Sequence, residues 1–370
     1  MTGSPRRAAW RSAPGVALFV AGLVAGPRAT SQAADAPGMP HAARWAFEPA
    51  PDAFSPAALL DLRSLNEKTA GDTGFVRVGT DGGFVRGDGQ PLRFWAVNTE
   101  VGRAPFIAKP LGPKAPPDLA RHARFLAKRG VNMVRLHRQL SPDLEAQPGA
   151  AITDINETER EGIWRTVAAM RQEGIYTTIS PYWAGPMKFS NRWGIAGGAQ
   201  QSAYGLLYFD ETLQAAYRAW LKKLLTEPNP HTGVPLARDP SVAILQLQNE
   251  DSLFFWTVAN IKGAQRQALE ARYGSFLIGK YGSLARALEV WHGDKVATDA
   301  PDAGRIALLE TWELTQSGSG ARALRLADQT EFYARTMYAL IAEPWSTCAK
   351  NSACARSSTQ AIGRLPATSA

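Results

Sequence analysis

From Leu92 to Gln248 the sequence alternates between two kinds of segment, and this alternation restricts the fold more than any composition figure. Four short apolar runs read as strands: "LRFWAVN" (92–98), "VNMVRLH" (131–137), "IYTTIS" (175–180) and "VAILQLQ" (242–248). Between them lie segments with helical periodicity. "PPDLARHARFLAKRG" opens on proline, puts Leu119, Ala123 and Leu126 on one face and stops at Gly130. "NETEREGIWRTVAAMRQEG" groups Ile163, Trp164, Val167 and Met170 and stops at Gly174. "DETLQAAYRAWLKKLLT" has Asp210 as its cap and turns Leu213, Tyr217, Trp220, Leu221 and Leu224 inward. Four strands, each reached through a helix, predict an α/β fold with a parallel sheet. No GxGxxG or GxxxxGK turn follows the first strand, so a dinucleotide or P-loop fold loses support and a (β/α)8 barrel gains it.

The ends differ from this body. Residues 1–33 hold Arg6, Arg7, Arg11 and Arg28, residues 346–370 hold Lys350, Arg356 and Arg364, and neither stretch has an acid. Together they account for seven of the eight net positive charges, so the body is near neutral and no basic face for nucleic acid is indicated. Arg6, Arg7 and Arg11 precede the apolar "GVALFVAGLVAG" (15–26) and the small residues of "SQAADA", the order of a secretory signal. The expectation is a signal peptide at 1–33, cleaved near Ala33 or Ala36, a secreted or periplasmic protein, and no stable membrane span after cleavage. Residues 34–90 read as a leader followed by a β-meander, whose hairpin signals are "TDGG" and "GDGQP". A partial barrel is expected over 91–345. From 346 to 370 the chain loses its aromatics and acids and reads as a low-complexity tail. The two cysteines, Cys348 and Cys354, lie in that tail, where they pair with each other or stay as free thiols; a disulfide framework is excluded.

In a barrel of this kind the chemistry sits at the C-terminal ends of the strands. Those ends carry Asn98 and Glu100, then Arg135, His137 and Arg138, then Tyr182 and Trp183, and finally Asn249, Glu250 and Asp251. Aromatic rings and a carboxylate at one mouth suit a carbohydrate, which offers apolar ring faces for stacking and hydroxyls for polar groups. Each residue has a plainer reading too. Glu250 could be a solvated strand end and Arg135 part of an ion pair. His137 could make a structural hydrogen bond, and Tyr182 and Trp183 could cap the core. Glu100 and Asp251 read as rim charges.

"LRFWAVN", "RGVNMVRLH", "GIYTTISPYW" and "ILQLQNE" occur in the order and spacing of clan-A glycoside hydrolases, and the chain resembles family 5, the cellulase and mannanase family, over residues 75–345. The resemblance implies a TIM barrel and O-glycosyl hydrolysis of β-linked glucans or mannans by a retaining, two-carboxylate mechanism that needs neither metal nor cofactor. It implies that Glu250 is the acid/base, that Asn249 holds the sugar 2-hydroxyl and that Arg135 supports the nucleophile. It makes His137, Tyr182 and Trp183 candidates for substrate contact. "YGSLARALEVWHG" (281–293) resembles a helical insertion of bacterial members.

One expected part is missing from the pattern. The family's nucleophile ends the seventh strand, whereas after Glu250 this sequence reads as mostly helical and then enters the tail. Truncation after the fourth βα unit is the expectation, with strands 1–4 alone, an inactive site and self-association through open sheet edges. "RIALLETWELT" offers Glu310 as a substitute nucleophile, but only 59 residues separate it from Glu250, too few for the intervening βα units. The rival readings are a non-catalytic carbohydrate-binding protein and a non-functional gene fragment.

Overall fold

The computed structural model describes residues 60–99, 119–316 and 319–351. The expected signal peptide, the leader up to residue 59, Glu100, Cys354 and the side chain of Cys348 lie outside the described residues. Three two-residue strands, β1 (Arg77–Val78), β2 (Phe84–Val85) and β3 (Pro91–Leu92), form the expected antiparallel meander in the order β1-β2-β3. A second sheet is parallel throughout: β4 (Ala96–Asn98), β5 (Met133–His137), β6 (Tyr176–Ser180) and β7 (Val242–Leu245). Its order, β4-β5-β6-β7, follows the sequence without reversal. A doubly wound sheet reverses strand order at a switch point; a barrel does not. The topology is therefore that of the first four βα units of a (β/α)8 barrel, and among the described residues β4 and β7 are open edges.

The run Leu92–Asn98, expected as one strand, is two. It leaves the meander at Leu92 and joins the parallel sheet at Ala96. Asn132 makes the break: its side-chain oxygen accepts from Trp95 N (2.8 Å) and its amide donates to Arg93 O (2.8 Å), standing in for a strand neighbour.

The helices between the strands follow the sequence signals. In α1 (Leu119–Ala127), Ala123 and Leu126 are buried. α2 (Glu157–Gln172) is capped by Asn156, which accepts from Glu159 N, and α3 (Glu211–Thr226) by Asp210, which accepts from Leu213 N. Gly174 ends the α2 unit at φ 72°, and a Cβ there would lie 1.9 Å from Glu67 O, so no other residue fits. One face of the sheet (Val134, Leu136, Ile179) packs on Ile163, Val167, Met170 and Leu213 of the helices. At the base of the other face, Met133 and Tyr176 pack on Phe84, Leu92 and Phe94 from the meander and its exit. Above that base the same face is polar.

β7 contains an irregularity that the sequence does not announce. Thr177 pairs with Val242 but Thr178 pairs with Ile244, so Ala243 is an extra residue, a β-bulge. The bulge resets the alternation. Leu245 and Leu247 go to the helical core and Gln246 to the polar face. Regular pairing also ends at Leu245 rather than Gln248. Two further contacts, Gln246 N to Ile179 O (2.8 Å) and Asn249 N to Tyr182 O (3.3 Å), carry the extended chain to the mouth.

After β7 come α4 (Gly263–Tyr281), α5 (Leu284–Val290), which falls within the expected insertion, and α6 (Gly320–Asn351). The "RIALLE" run is not a strand. Its backbone is matched by side chains of α6: Gln329 accepts from Leu309 N (2.7 Å) and donates to Leu309 O (2.9 Å), and Arg325 donates to Ala307 O (2.7 Å). Arg325, wholly buried, also forms a two-pronged pair with Asp299 (2.8 and 2.7 Å). No helix among the described residues is long and apolar enough to cross a membrane.

Candidate active site

Arg135 organises the mouth of the parallel sheet. Its position on β5 puts it on the polar face, opposite Asn98 of β4 and Thr178 of β6. The guanidinium donates Nε to Gln246 Oε1 (2.8 Å), one terminal nitrogen to Asn249 Oδ1 (2.5 Å) and the other to Asn98 Oδ1 (3.3 Å). One planar fork thus ties together three segments of chain, which a lysine could not do. All three acceptors are neutral amides, so none cancels its charge. Burial lowers the pKa of the guanidinium, and the neighbouring Glu250 carboxylate opposes that shift.

Glu250 is exposed and has φ 41°, a left-handed backbone that is uncommon for a non-glycine residue and costs roughly 1–3 kcal/mol. Both of its neighbours are anchored. Asn249, 6% exposed, is held by Arg135. Asp251, 7% exposed, accepts from Gly205 N (2.8 Å) and Gln248 Nε2 (3.0 Å), while its carbonyl accepts from Tyr208 Oη (2.5 Å). Asp251 is therefore not the rim charge expected of it. Burial pushes its carboxyl pKa up, and hydrogen bonds led by the Gly205 amide act against that. These two clamps over-determine the turn and hold Glu250 at the mouth in a strained conformation.

His137 sits beside Arg135. Its Nδ1 lies 3.2 Å from Ser180 Oγ, its ring centroid is 4.8 Å from that of Trp183, and its Nε2 is buried with no hydrogen-bond partner among the described residues. Burial, and then the charge of Arg135, hold its pKa below the ordinary histidine value, so the ring is neutral at neutral pH. Trp183 is exposed. Tyr182 is not: it is wholly buried, 5.2 Å from the Tyr217 ring, and belongs to the core beneath the mouth. Burial raises the pKa of its hydroxyl well above the tyrosine range.

Trp183 and Glu250 share a cleft of about 610 Å³ with Tyr204, Phe254, Phe255 and Trp256. The last four were not picked out from the sequence. The signal was present in "SLFFWT", three successive aromatics that fit neither a helical nor a strand period. The region reads as helical by composition, yet the described backbone forms a 3-10 turn at Trp256–Asn260. Glu310 does not line this cleft; it is exposed and precedes a second 3-10 turn, Thr311–Thr315. Glu250 is thus the exposed carboxylate of the cleft and can exchange a proton with a bound group, while Asp251, the other carboxylate of the lining, is buried and bonded.

No protein-family model matches the sequence, and no curated protein matches it. Among solved structures the chain is similar to a glycoside hydrolase family 5 mannosidase from Rhizomucor miehei, with TM-score 0.32 and 19% identity over 48% of this chain and 48% of that one. It is also similar to an endo-1,4-beta-mannanase from the same organism, with TM-score 0.34 and 14% identity over 63% of this chain and 67% of that one. The chain spans about half the length of the mannosidase.

Proposed function

We propose that the chain carries the acid/base half of an exported glycoside hydrolase acting on β-linked glycans of the glucan or mannan type. The observation that supports this reading best is the presentation of Glu250 on a strained, doubly anchored turn at the mouth of a consecutive parallel sheet, inside an aromatic-walled cleft. In this reading Glu250 protonates the glycosidic oxygen as the bond breaks and later activates the water. Asn249, its oxygen held by Arg135, keeps its amide hydrogens free for a sugar hydroxyl. His137 and Trp183 contact the ring.

A retaining mechanism needs a second carboxylate about 5–5.5 Å from the first. In this proposal it comes from a barrel strand other than β4–β7; the four-strand part binds glycan without turning it over and associates through its open edges. A non-catalytic sugar-binding role is the second reading, favoured by the cleft's holding one exposed carboxylate.

The test is to assay the chain for reducing-sugar release from β-mannan and β-glucan while measuring binding and, by light scattering, size. Glycan binding without turnover is the expected result. If a version extended past residue 370 gains turnover and loses it, by orders of magnitude, in Glu250→Ala, the hydrolase reading stands. If the extended protein binds and never turns over, the binding role replaces it. Turnover by the chain as given, lost in Glu310→Gln, would instead make Glu310 the nucleophile. Export is checked separately: N-terminal sequencing of secreted material is expected to start after Ala33 or Ala36, and a start at Met1 refutes it.

A further inference from the structure

A second cavity, of about 780 Å³, lies where α3, α4 and α6 meet the 3-10 turn Leu206–Tyr208. Its lining divides by burial. Tyr208 and Phe332 are buried and Phe276 is half-buried, so these rings make a floor. Arg218 of α3, Arg272 of α4 and Arg335 of α6 are exposed and make a rim. The floor is held from both sides. Phe332 packs on Phe276 (ring centroids 5.7 Å apart) and on Tyr273 (5.1 Å), and Tyr208 Oη donates to the carbonyl of Asp251 (2.5 Å). The rim is positive although the body of the chain is near neutral. Among the described residues the lining holds one carboxylate, Glu211, which is exposed and accepts from Arg272 (2.9 Å). Arg335 pairs with Glu331 (2.7 Å), but Lys280 pairs with the same carboxylate (2.5 Å). Three guanidiniums from three helices therefore converge on one cavity with a surplus of positive charge, which attracts an anion.

We propose that this cavity binds an aromatic carboxylate, its ring on Tyr208, Phe276 and Phe332 and its charge among the three guanidiniums. The floor supplies apolar area and edge or offset ring contacts. A guanidinium fork matches the two oxygens of a carboxylate. The volume, the aromatic floor and the few convergent polar groups are those of a small-molecule site. The chain's own tail is a poor occupant, since residues 346–370 carry Lys350, Arg356 and Arg364 and no acid. The cavity shares no lining residue with the cleft of Glu250, so it stands or falls apart from the sugar reading.

The experiment is a calorimetric titration of the full chain with 2-naphthoate, its uncharged amide and inorganic phosphate. Naphthoate is expected to bind about tenfold tighter than either of the others, a difference of about 1.4 kcal/mol. Arg272→Gln and Arg335→Gln should each weaken naphthoate about threefold or more and leave the amide within about twofold. Ser275 lines the cavity from an exposed position, and its hydroxyl bonds only to Ala271 O (3.1 Å), so Ser275→Trp should plant a ring in the cavity and abolish naphthoate binding. The arginine variants carry the test if Ser275→Trp fails to fold. Equal binding of naphthoate and its amide overturns the role of the carboxylate, and equal binding of phosphate overturns that of the ring. Binding that survives Ser275→Trp and is lost in Trp256→Ala puts the ligand in the cleft of Glu250 and overturns the site. If light scattering shows that Ser275→Trp turns an associated chain into a monomer, a second copy is the occupant and the proposal falls. No binding of naphthoate at all overturns it outright.

Discussion

Two arginines, one in the parallel sheet and one in the helical region after it, show how differently the two halves use the same side chain. Arg325 of α6 is wholly buried and meets Asp299 with both prongs, so its charge is cancelled where it stands. Arg135 of β5 is half-buried and bonds to the oxygens of Asn98, Gln246 and Asn249, none of which carries charge. Its field remains available to Glu250 and to whatever enters the cleft. Paired burial of charge is a structural solution with a desolvation cost; unpaired partial burial is tolerated where the charge has another use.

The largest expected effect tests the structural arginine. Arg325→Met leaves Asp299 buried without its partner and should lower stability by about 3–5 kcal/mol in urea denaturation. Adding Asp299→Leu should recover most of that loss, and glycan binding should be unchanged in the double variant. A next, smaller effect tests the other arginine. Arg135→Met should cost about 1–2 kcal/mol of stability, less than Arg325→Met because it leaves no buried charge unpaired, but should weaken glycan binding about tenfold because Asn249 loses its orientation. Arg135→Lys should not restore affinity, because an ammonium cannot hold three amides in one plane. Restoration by lysine would mean that charge alone matters.

The smallest effects come from pH and separate the two regions by window. His137 has a folded pKa held below its unfolded value, near 6.5, by burial and by Arg135; Arg138 also disfavours its protonated form, while Glu250 and Ser180 favour it. The unfolded state then binds the proton more readily, so the contribution of His137 is present above about pH 6.5 and is lost as pH falls through the folded value. Asp299 also has a lowered folded pKa: burial works to raise it, but the Arg325 bonds and the amides of Val296 and Ala307 prevail. Its contribution is present above about pH 4 and is lost below that. His137→Gln should therefore flatten the stability profile just below pH 6.5, and Arg325→Met the profile below pH 4. A single shared window would break the comparison.

The helices were legible because their signals are local. Asn156, Asp210, Gly130 and Gly174 lie within three residues of the ends they set, and the spacing of Ile163, Val167 and Met170 needs no partner to be read. What the sequence hid depends on contacts far along the chain. The break at Arg93–Trp95 is made by Asn132, the burial of Asp251 by Gly205 and Tyr208, and the bulge by the pairing of Thr178 with Ile244. The choice between inward and outward faces was open for the same reason. Val134 and Leu136 turn out to face the helices, so the other side of the sheet near the mouth is polar. Glu250 and Asn249 were legible as types at a strand end; the left-handed turn between two clamps was not, since nothing in "QNED" requires it.

The bulge at Ala243 gives the strand one residue of slack. Val242 and Leu245 both lie on the helical side although three residues apart, because Ala243 sits outside the pairing. Deleting Ala243 would leave Val242, Ile244 and Leu245 opposite their present partners and Gln246 still on the side of Arg135. In an evolving lineage a length change at Ala243 is therefore cheap, while one between Leu245 and Glu250, where no bulge absorbs it, turns over the residues that follow and takes an amide away from the arginine.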